Sequence, residues 1–454
     1  MSDNVKDLRE MKRVACAALL AALLLMASCA IPQQASSSGE TASSASSASV
    51  EEAANPASST EVTGSGDDSS SASTSEVAGS ASASATSASP ATENALSLWT
   101  DDSPTAALVK DYVADVTNEA SPNYIPPEDR IVTIDWDGTL YGELDPIYLD
   151  WAMYIHRTLW DSTYTPTDEQ IEVARAIETV EQTREFPEDL EARHAQALAE
   201  VFAGMSEDDF YAYVAEFAET DAPKFTGMKR KDAYFLPMVE LVNYLHDNGF
   251  ECFVVSGTNR NVLRVLLPAY FPWLDNAHIK GTVSTVEASG QGDTDGLKYV
   301  WTSTDELTLG DELVIKNVKA NKPTIIATEI GKQPVVSLGN SSGDASMANY
   351  TVNNNKYRSI ALMLCCDDTE RDWGEVEKAE KMRKSCEENG WHAVSQRDEW
   401  KTIYGEGVER DLDWTWSSEI AGPNQKSAQD AAASSQEAAE SAPEEGEEEL
   451  PMAA

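Results

Sequence analysis

The sequence predicts an α/β protein: a doubly wound, mainly parallel, Rossmann-like sheet with an α-helical cap inserted after its first strand. Two observations carry this expectation. Apolar, β-branched runs at 131–135, 251–256, 334–338 and 358–364, with a weaker one near 278–282, alternate with stretches of helical periodicity. Residues 136–250, between the first two strands, read as helix after helix, at about 146–160, 168–184, 188–203, 207–219 and 235–247. A crossover of that length cannot be a simple strand–helix–strand link, so most of it must form a body of its own over the strand ends.

Each element has its own local reason. Thr167 with Gln170, and Ser206 with Asp209, have the spacing of capping boxes and mark helix starts. Asn248-Gly249 is a helix stop placed just before the second strand. The first strand, Ile131-Val-Thr-Ile134, runs straight into Asp135-Trp-Asp137-Gly. In an open parallel sheet, ligands sit beyond the carboxyl ends of the strands. Asp135 and Asp137 face the same way across the pleat while Trp136 points elsewhere. Two carboxylates this close repel unless a proton or a cation separates them, and a hard, oxygen-seeking ion such as magnesium suits the pair.

The ends of the chain are of another kind. The formal net charge of −45 is spread over the whole length, tails included. Residues 1–29 contain Met11-Lys-Arg, a short apolar run and Met26-Ala-Ser-Cys29, the pattern of an export signal. A cysteine after Ala-Ser resembles the lipobox of bacterial lipoproteins. That resemblance implies lipidation of Cys29 and an extracytoplasmic protein anchored to the bacterial cell membrane. Residues 30–97 are almost wholly Ser, Ala, Thr, Gly and acids, too poor in large apolar groups to form a core, and read as a disordered tether. Residues 422–454, with the run Glu444-Glu-Gly-Glu-Glu-Glu449, read as a disordered acidic tail. The core is expected at 98–145 and 245–421 and the helical cap at 146–244. With no basic patch and a surplus of acids, nucleic acid is excluded as a partner. Beyond Cys16 and Cys29, the cysteines Cys252, Cys365, Cys366 and Cys386 form neither a disulfide framework nor a metal knuckle, and Cys252 reads as a small buried hydrophobe.

Four segments in order carry the chemistry. Asp135-Trp-Asp-Gly-Thr-Leu140 ends the first strand, and Phe253-Val-Val-Ser256-Gly257-Thr258 ends the second in a hydroxyl residue. Asn321-Lys322-Pro-Thr follows, then Pro334-Val-Val-Ser-Leu-Gly-Asn340-Ser-Ser-Gly-Asp344. Together they resemble the four motifs of the haloacid dehalogenase superfamily of phosphohydrolases, over roughly 128–405. The resemblance implies a magnesium-dependent phosphatase acting on a small phosphomonoester. Asp135 would be the nucleophile, Asp137 the general acid and base, and Ser256, Gly257 and Lys322 the phosphate-binding groups. Asp135, Asp137, Asn340 and Asp344 would surround Mg2+. Asn340 stands where many members carry an acid, which removes one negative charge from the expected metal site. Lys316 and Lys319 lie close to Lys322, and spacing alone leaves the choice among the three open. Glu143, one residue from where phosphoserine phosphatases carry an amine-binding glutamate, and Arg371, just past the last strand, are candidate substrate contacts. Tyr148, Trp151, Ile155 and Leu159 share a helix face that could frame a choline-like cation or simply pack. Phosphoserine, phosphocholine and phosphoethanolamine are the expected substrate classes. A phosphotransferase, or a non-catalytic surface lipoprotein that binds phosphorylated ligands, remains as an alternative.

Overall fold

The computed structural model describes residues 96–143, 148–183 and 185–414. The expected signal with Cys29, nearly all of the tether and the acidic tail lie outside them. Packing begins at Leu96, which is buried, and Ser97 donates to Glu240 Oε1 through both its backbone N (2.7 Å) and its hydroxyl (2.8 Å). The last two residues assigned to the tether are therefore part of the folded body, because Leu96 has a core to enter.

Helix α1 (Pro104–Val116) is capped by Ser103 and leads to β1 (Ile131–Ile134). Next come α2 (Leu149–Ile155), which ends in a π-helical turn, α3 (Asp168–Thr183), α4 (Leu190–Phe202) and α5 (Glu207–Ala218). The capping box is reciprocal: Thr167 Oγ1 accepts from Gln170 N at 3.3 Å, and Gln170 Oε1 accepts from Thr167 N at 3.0 Å. Ser206 Oγ likewise accepts from Asp209 N at 3.1 Å. A short β2 (Phe225–Thr226) precedes α6 (Leu236–Asp247), which stops at Asn248 and Gly249 before β3 (Glu251–Asn259). The chain continues through α7 (Arg260–Leu266), β4 (Ile279–Ala288), β5 (Leu307–Ile315), the single turn α8 (Asn321–Ile325) and β6 (Val336–Gly339). It closes with α9 (Ala345–Val352), β7 (Ile360–Cys365), α10 (Val376–Asn389), β8 (His392–Ser395), the single turn α11 (Gln396–Glu399) and β9 (Glu409–Arg410).

Seven strands form one sheet in the order β5-β4-β3-β1-β6-β7-β8, parallel throughout except for the antiparallel β4–β5 pair. Strand β1 is the point from which the order runs outward in both directions, through β3 on one side and β6 on the other. At such a switch point the loops leaving adjacent strands part and open a crevice. All four β1 residues are buried, as in a sheet covered on both faces. Val132 and Ile134 join Val254, Leu338 and Leu362 in the larger core, while Ile131 packs on the other face with Phe253, Val255, Ile326 and Met347. The described cysteines Cys252, Cys365, Cys366 and Cys386 are all free thiols, and Cys252 is buried.

The helical insert is tied to the β5 edge rather than hanging free of the sheet. Gly204 N donates to Leu309 O (2.8 Å), Leu309 N to Met205 O (2.9 Å) and Gln196 Nε2 to Asp311 O (2.8 Å), while Leu313 N donates to Gln196 Oε1 (3.0 Å). These bonds cover edge groups that would otherwise be open to pairing.

Candidate active site

Asp135 continues the β1 ladder for one residue, its N–H donating to Leu338 O at 2.9 Å, and the chain then turns sharply. Gly138 makes that turn at φ +70°, and a Cβ there would overlap Asn340 Nδ2. Trp136 points into the core, stacked on Tyr141 at 4.2 Å, so Asp135 and Asp137 are left to the crevice.

Three buried charges form a chain across the switch point. Lys322 Nζ lies 2.6 Å from Asp135 Oδ1 and 2.6 Å from Asp344 Oδ1. Of the three lysines that spacing left open, Lys322 is thus the one that reaches Asp135. Lys316 instead donates to Gly257 O at 2.9 Å, and Lys319 lies on the same cavity wall. Asp344 Oδ2 accepts from Asn340 N (3.0 Å), Ser341 N (3.1 Å) and Ser341 Oγ (3.2 Å), so both its oxygens are engaged. Asp135 Oδ2 receives a long contact, 3.4 Å, from Thr139 Oγ1. Asp137 Oδ2 accepts from the Thr258 hydroxyl, and its Oδ1 is buried with no hydrogen-bond partner.

Electrostatics follow from this burial. Desolvation, then the charge of Asp344, raises Asp135 to about 7, with Lys322 opposing. Asp137 is pushed well above the ordinary carboxylate range by burial and then by Asp150 and Asp135. Burial works against the Lys322 charge, but Asp135 and Asp344 outweigh it and its pKa is raised. Asp150, on α2, is raised mainly by burial; it accepts from Asn259 N at 3.3 Å.

These groups line a cavity of about 440 Å3. Asp135, Asp137, Gly257, Lys322, Asn340 and Asp344 are on its wall. Ser256 is not: it is fully buried behind the wall, where its Oγ accepts from Thr258 N at 3.1 Å, and Gly257 and Thr258 present the surface instead. Glu143 accepts from Asn340 Nδ2 (2.9 Å) and Lys378 Nζ (3.0 Å), which makes it a brace for the Asn340 amide. Arg371 stands apart from the cavity. Its guanidinium is taken by Asp368 Oδ2 (2.6 Å) and the carbonyls of Trp400 and Gln396 (both 2.9 Å). Arg371 therefore ties a loop down and is corrected as a candidate substrate contact. The aromatic stripe divides: Tyr148 and Trp151 line the cavity, while Ile155 and Leu159 are buried in the core. Sequence reasoning missed Asp150, Thr258 and Lys378 as wall residues.

The donor set suits a hard cation. Asp135 Oδ2, the unpartnered Asp137 Oδ1 and the amide oxygen of Asn340, whose Nδ2 is held by Glu143, are oxygen ligands of the kind magnesium takes. Burial raises both Asp135 and Asp137, with the charge of Asp344 adding to the first and those of Asp150 and Asp135 to the second, and a cation at the site would relieve that cost. Among the described residues, no three His, Cys, Asp or Glu side chains gather into a metal cage of protein ligands alone.

Residues 132–349 match the family model of the haloacid dehalogenase-like hydrolases. The fold is haloacid dehalogenase-like. The matched segment runs from β1 into α9, and so spans every motif residue from Asp135 to Asp344. No curated protein matches the chain. Among solved structures it is similar to a conserved functionally unknown protein from Anaerococcus prevotii, at 12% identity and TM-score 0.39, covering 64% of this chain and 91% of that one. Cytosolic 5′-nucleotidase IIIB bound to cytidine shows 12% identity and TM-score 0.39, over 64% and 85% of the two chains. A phosphoserine phosphohydrolase-like protein from Francisella tularensis shows 14% identity and TM-score 0.32, over 58% and 94%.

Proposed function

We propose that the chain is a magnesium-dependent phosphomonoesterase of the haloacid dehalogenase type that works through an aspartyl-phosphate on Asp135. The observation that carries this reading is the buried Asp135–Lys322–Asp344 chain beside Asp137 at the carboxyl end of β1. A buried structural ion pair needs only one acid for each base. Here Asp135 keeps Oδ2 open to the cavity, and a second acid, Asp137, stands two residues away with a desolvated, unpartnered oxygen.

The chemistry then divides among the residues. Asp135 Oδ2 attacks phosphorus, forming the O–P bond of the acyl phosphate as the bond to the leaving oxygen breaks. Asp137, raised by burial, carries the proton that the leaving oxygen takes. It then accepts a proton from the water that attacks phosphorus, releasing phosphate and restoring the Asp135 carboxylate. Lys322 and the backbone N–H groups past Ser256 offset the phosphoryl charge. Magnesium, when bound, supplies further charge neutralisation, and Asp135, Asp137 and Asn340 would hold it. Asp344 would act by holding Lys322 and the 340–341 backbone.

We read the substrate as small and bearing a cationic amine, held at the acidic side of a wall on which Lys316, Lys319, Lys322 and Lys378 face the phosphoryl charge. The carboxylates of Asp150, Glu188 and Glu191 share its wall with the aromatic rings of Tyr148 and Trp151, which meet edge-on at 5.5 Å. Phosphoethanolamine, phosphocholine and phosphoserine fit that lining, with the helical insert acting as a cap that excludes water. We further propose export as a lipoprotein through Cys29, on the small-residue–cysteine pattern. Among the described residues no helix is long and apolar enough to cross a membrane.

Hydrolysis assays on the full chain with magnesium test the reading. Phosphate release is expected from a generic aryl phosphate, and kcat/KM about tenfold or more higher for phosphocholine or phosphoethanolamine than for phosphoglycolate. Equal rates on all three would overturn the amine-bearing class while leaving the phosphatase reading intact. Inactivity across a phosphomonoester panel at several pH values would overturn both.

A further inference from the structure

A second cavity, of about 170 Å3, lies where α4 and α5 of the insert meet α7 and the β4–β5 hairpin. It belongs to none of the chemistry described above. Arg260 and Arg264 line it from the same face of α7, one turn apart. Like charges at this spacing repel, and in a chain of net charge −45 a paired cationic site needs a reason.

The arginines are incompletely matched. Arg260, half-buried, makes no hydrogen bond or ion pair among the described residues, and its Nε is buried without a partner. Arg264 Nε is buried and unpartnered too. The rest of its guanidinium reaches Asn261 Oδ1 at 3.2 Å and stands 3.7 Å from Glu207 Oε1, with the Tyr211 hydroxyl beside both Arg264 and Glu207. Glu207 is the carboxylate on the cavity wall. Glu329, whose charge is felt by Arg260, is engaged with Lys280 Nζ at 3.1 Å. Two guanidinium groups against one carboxylate leave the wall with one unit of positive charge. Burial, then Arg264, lowers the Arg260 pKa, the sign of a cation desolvated beside another cation. The wall also carries apolar Leu198, Phe202, Phe210 and Leu309, beside the hydroxyl residues Thr282, Ser284 and Thr285.

We propose that this cavity binds a small organic monoanion, a carboxylate with a short hydrocarbon body. The carboxylate meets the Arg260 and Arg264 guanidinium forks, and the hydrocarbon lies against Leu198, Phe202 and Phe210. A planar carboxylate matches the arginine fork in two parallel hydrogen bonds, and one negative charge balances the wall. The apolar end distinguishes this ligand from a bare inorganic anion. The site backs onto the catalytic cavity through shared backbone. Asn259, on its wall, donates its N–H to Asp150, and Thr282 Oγ1 donates to Gly257 O at 2.6 Å.

Calorimetric titration of hexanoate into the full chain tests the proposal, with acetate as the probe that lacks the hydrocarbon body. Saturable binding of one hexanoate is expected. Affinity should fall about tenfold or more in Arg260→Gln and in Arg264→Gln, as for a lost charge-assisted hydrogen bond. Acetate should bind far more weakly, and Lys378→Met, on the catalytic wall, should bind hexanoate like wild type. Where circular dichroism shows that Arg260→Gln is unfolded, Arg260→Lys carries the test, since it keeps the charge, loses the fork and should bind several-fold more weakly. No saturable binding by wild type, undiminished binding by the folded Arg260 variant, or loss of binding in Lys378→Met would each overturn the assignment.

Discussion

Lys322 holds the site together, and in the proposed reaction it also offsets the phosphoryl charge. Its ammonium lies between two carboxylates, and its side chain is 2% exposed, so removing it leaves Asp135 and Asp344 facing each other without a cation. Lys322→Met is expected to lower the unfolding free energy by about 3 kcal/mol, as measured by denaturant titration, because breaking a buried pair strands its partner charges. The same variant should lose phosphatase activity by about 10²-fold or more, since a fixed positive charge at the transferring phosphoryl group is gone. A variant of unchanged activity would show that the lysine is structural only. At this scale the sequence was informative where a residue closes a strand: Asp135, Asp137 and Asn340 sit at or just past strand ends, and alternation fixes where they point. It was silent on Asp150 and Lys378. Asp150 lies in the first turn of a helix whose residues are all buried, and Lys378 is one of several Lys and Glu residues on a polar helix, so only tertiary packing marks either as part of the wall. Arg371 failed as a site residue for the same reason. A strand-end arginine can face the crevice or turn back, and Asp368 with two carbonyls draws it back.

Elements position these residues, and two of them make measurable demands. The turn after β1 depends on Gly138 at φ +70°, packed against the Asn340 amide. Gly138→Ala should leave far-ultraviolet circular dichroism unchanged while activity falls at least about tenfold, because backbone strain and a displaced Asn340 both act on the site. Activity equal to wild type would contradict the tight fit of the two loops. The loop between β7 and α10 holds Asp372, whose pKa burial raises from 3.8 to about 6. Its folded-state value lies above the unfolded one, so the folded protein binds this proton more tightly. The penalty is absent below about pH 4, grows as pH rises through about 6 and is full above that. Asp372→Asn should therefore raise stability by on the order of 1–3 kcal/mol at pH 8 and leave it unchanged at pH 4, as read from Tm against pH. The amide oxygen can still accept from Trp373 N and Tyr404 Oη, which both donate to Oδ1. Helices were the most legible elements, because the capping residues Thr167 and Ser206 and the stop at Gly249 are local signals. Strands β5 and β8 were not. Strand β5 carries Gly-Asp-Glu in its middle and is held by β4 and by Gln196, and β8 is only four residues long.

For the whole molecule, the order of the strands matters more than any one of them. Placing β1 between β3 and β6 brings Thr258, Asp135 and Asn340 from three separate parts of the chain to one crevice, and α8 then delivers Lys322 to its floor. A parallel core of this kind was legible from the alternation of apolar runs with helices. The β4–β5 extension and its attachment to the helical insert were not, because their contacts are long-range and leave no periodic trace. That attachment gives the insert a footing on the sheet edge through the 204–205 and 309–313 contacts. In the proposed reaction Asp135 becomes covalently phosphorylated. Rapid acid quench of the full chain during turnover of an aryl phosphate with magnesium, followed by mass spectrometry of its peptides, tests it most directly. One phosphoryl group is expected on the peptide carrying Asp135, absent without magnesium and absent in Asp135→Asn. Turnover with no phosphoryl group on that peptide, or undiminished turnover by Asp135→Asn, would contradict it.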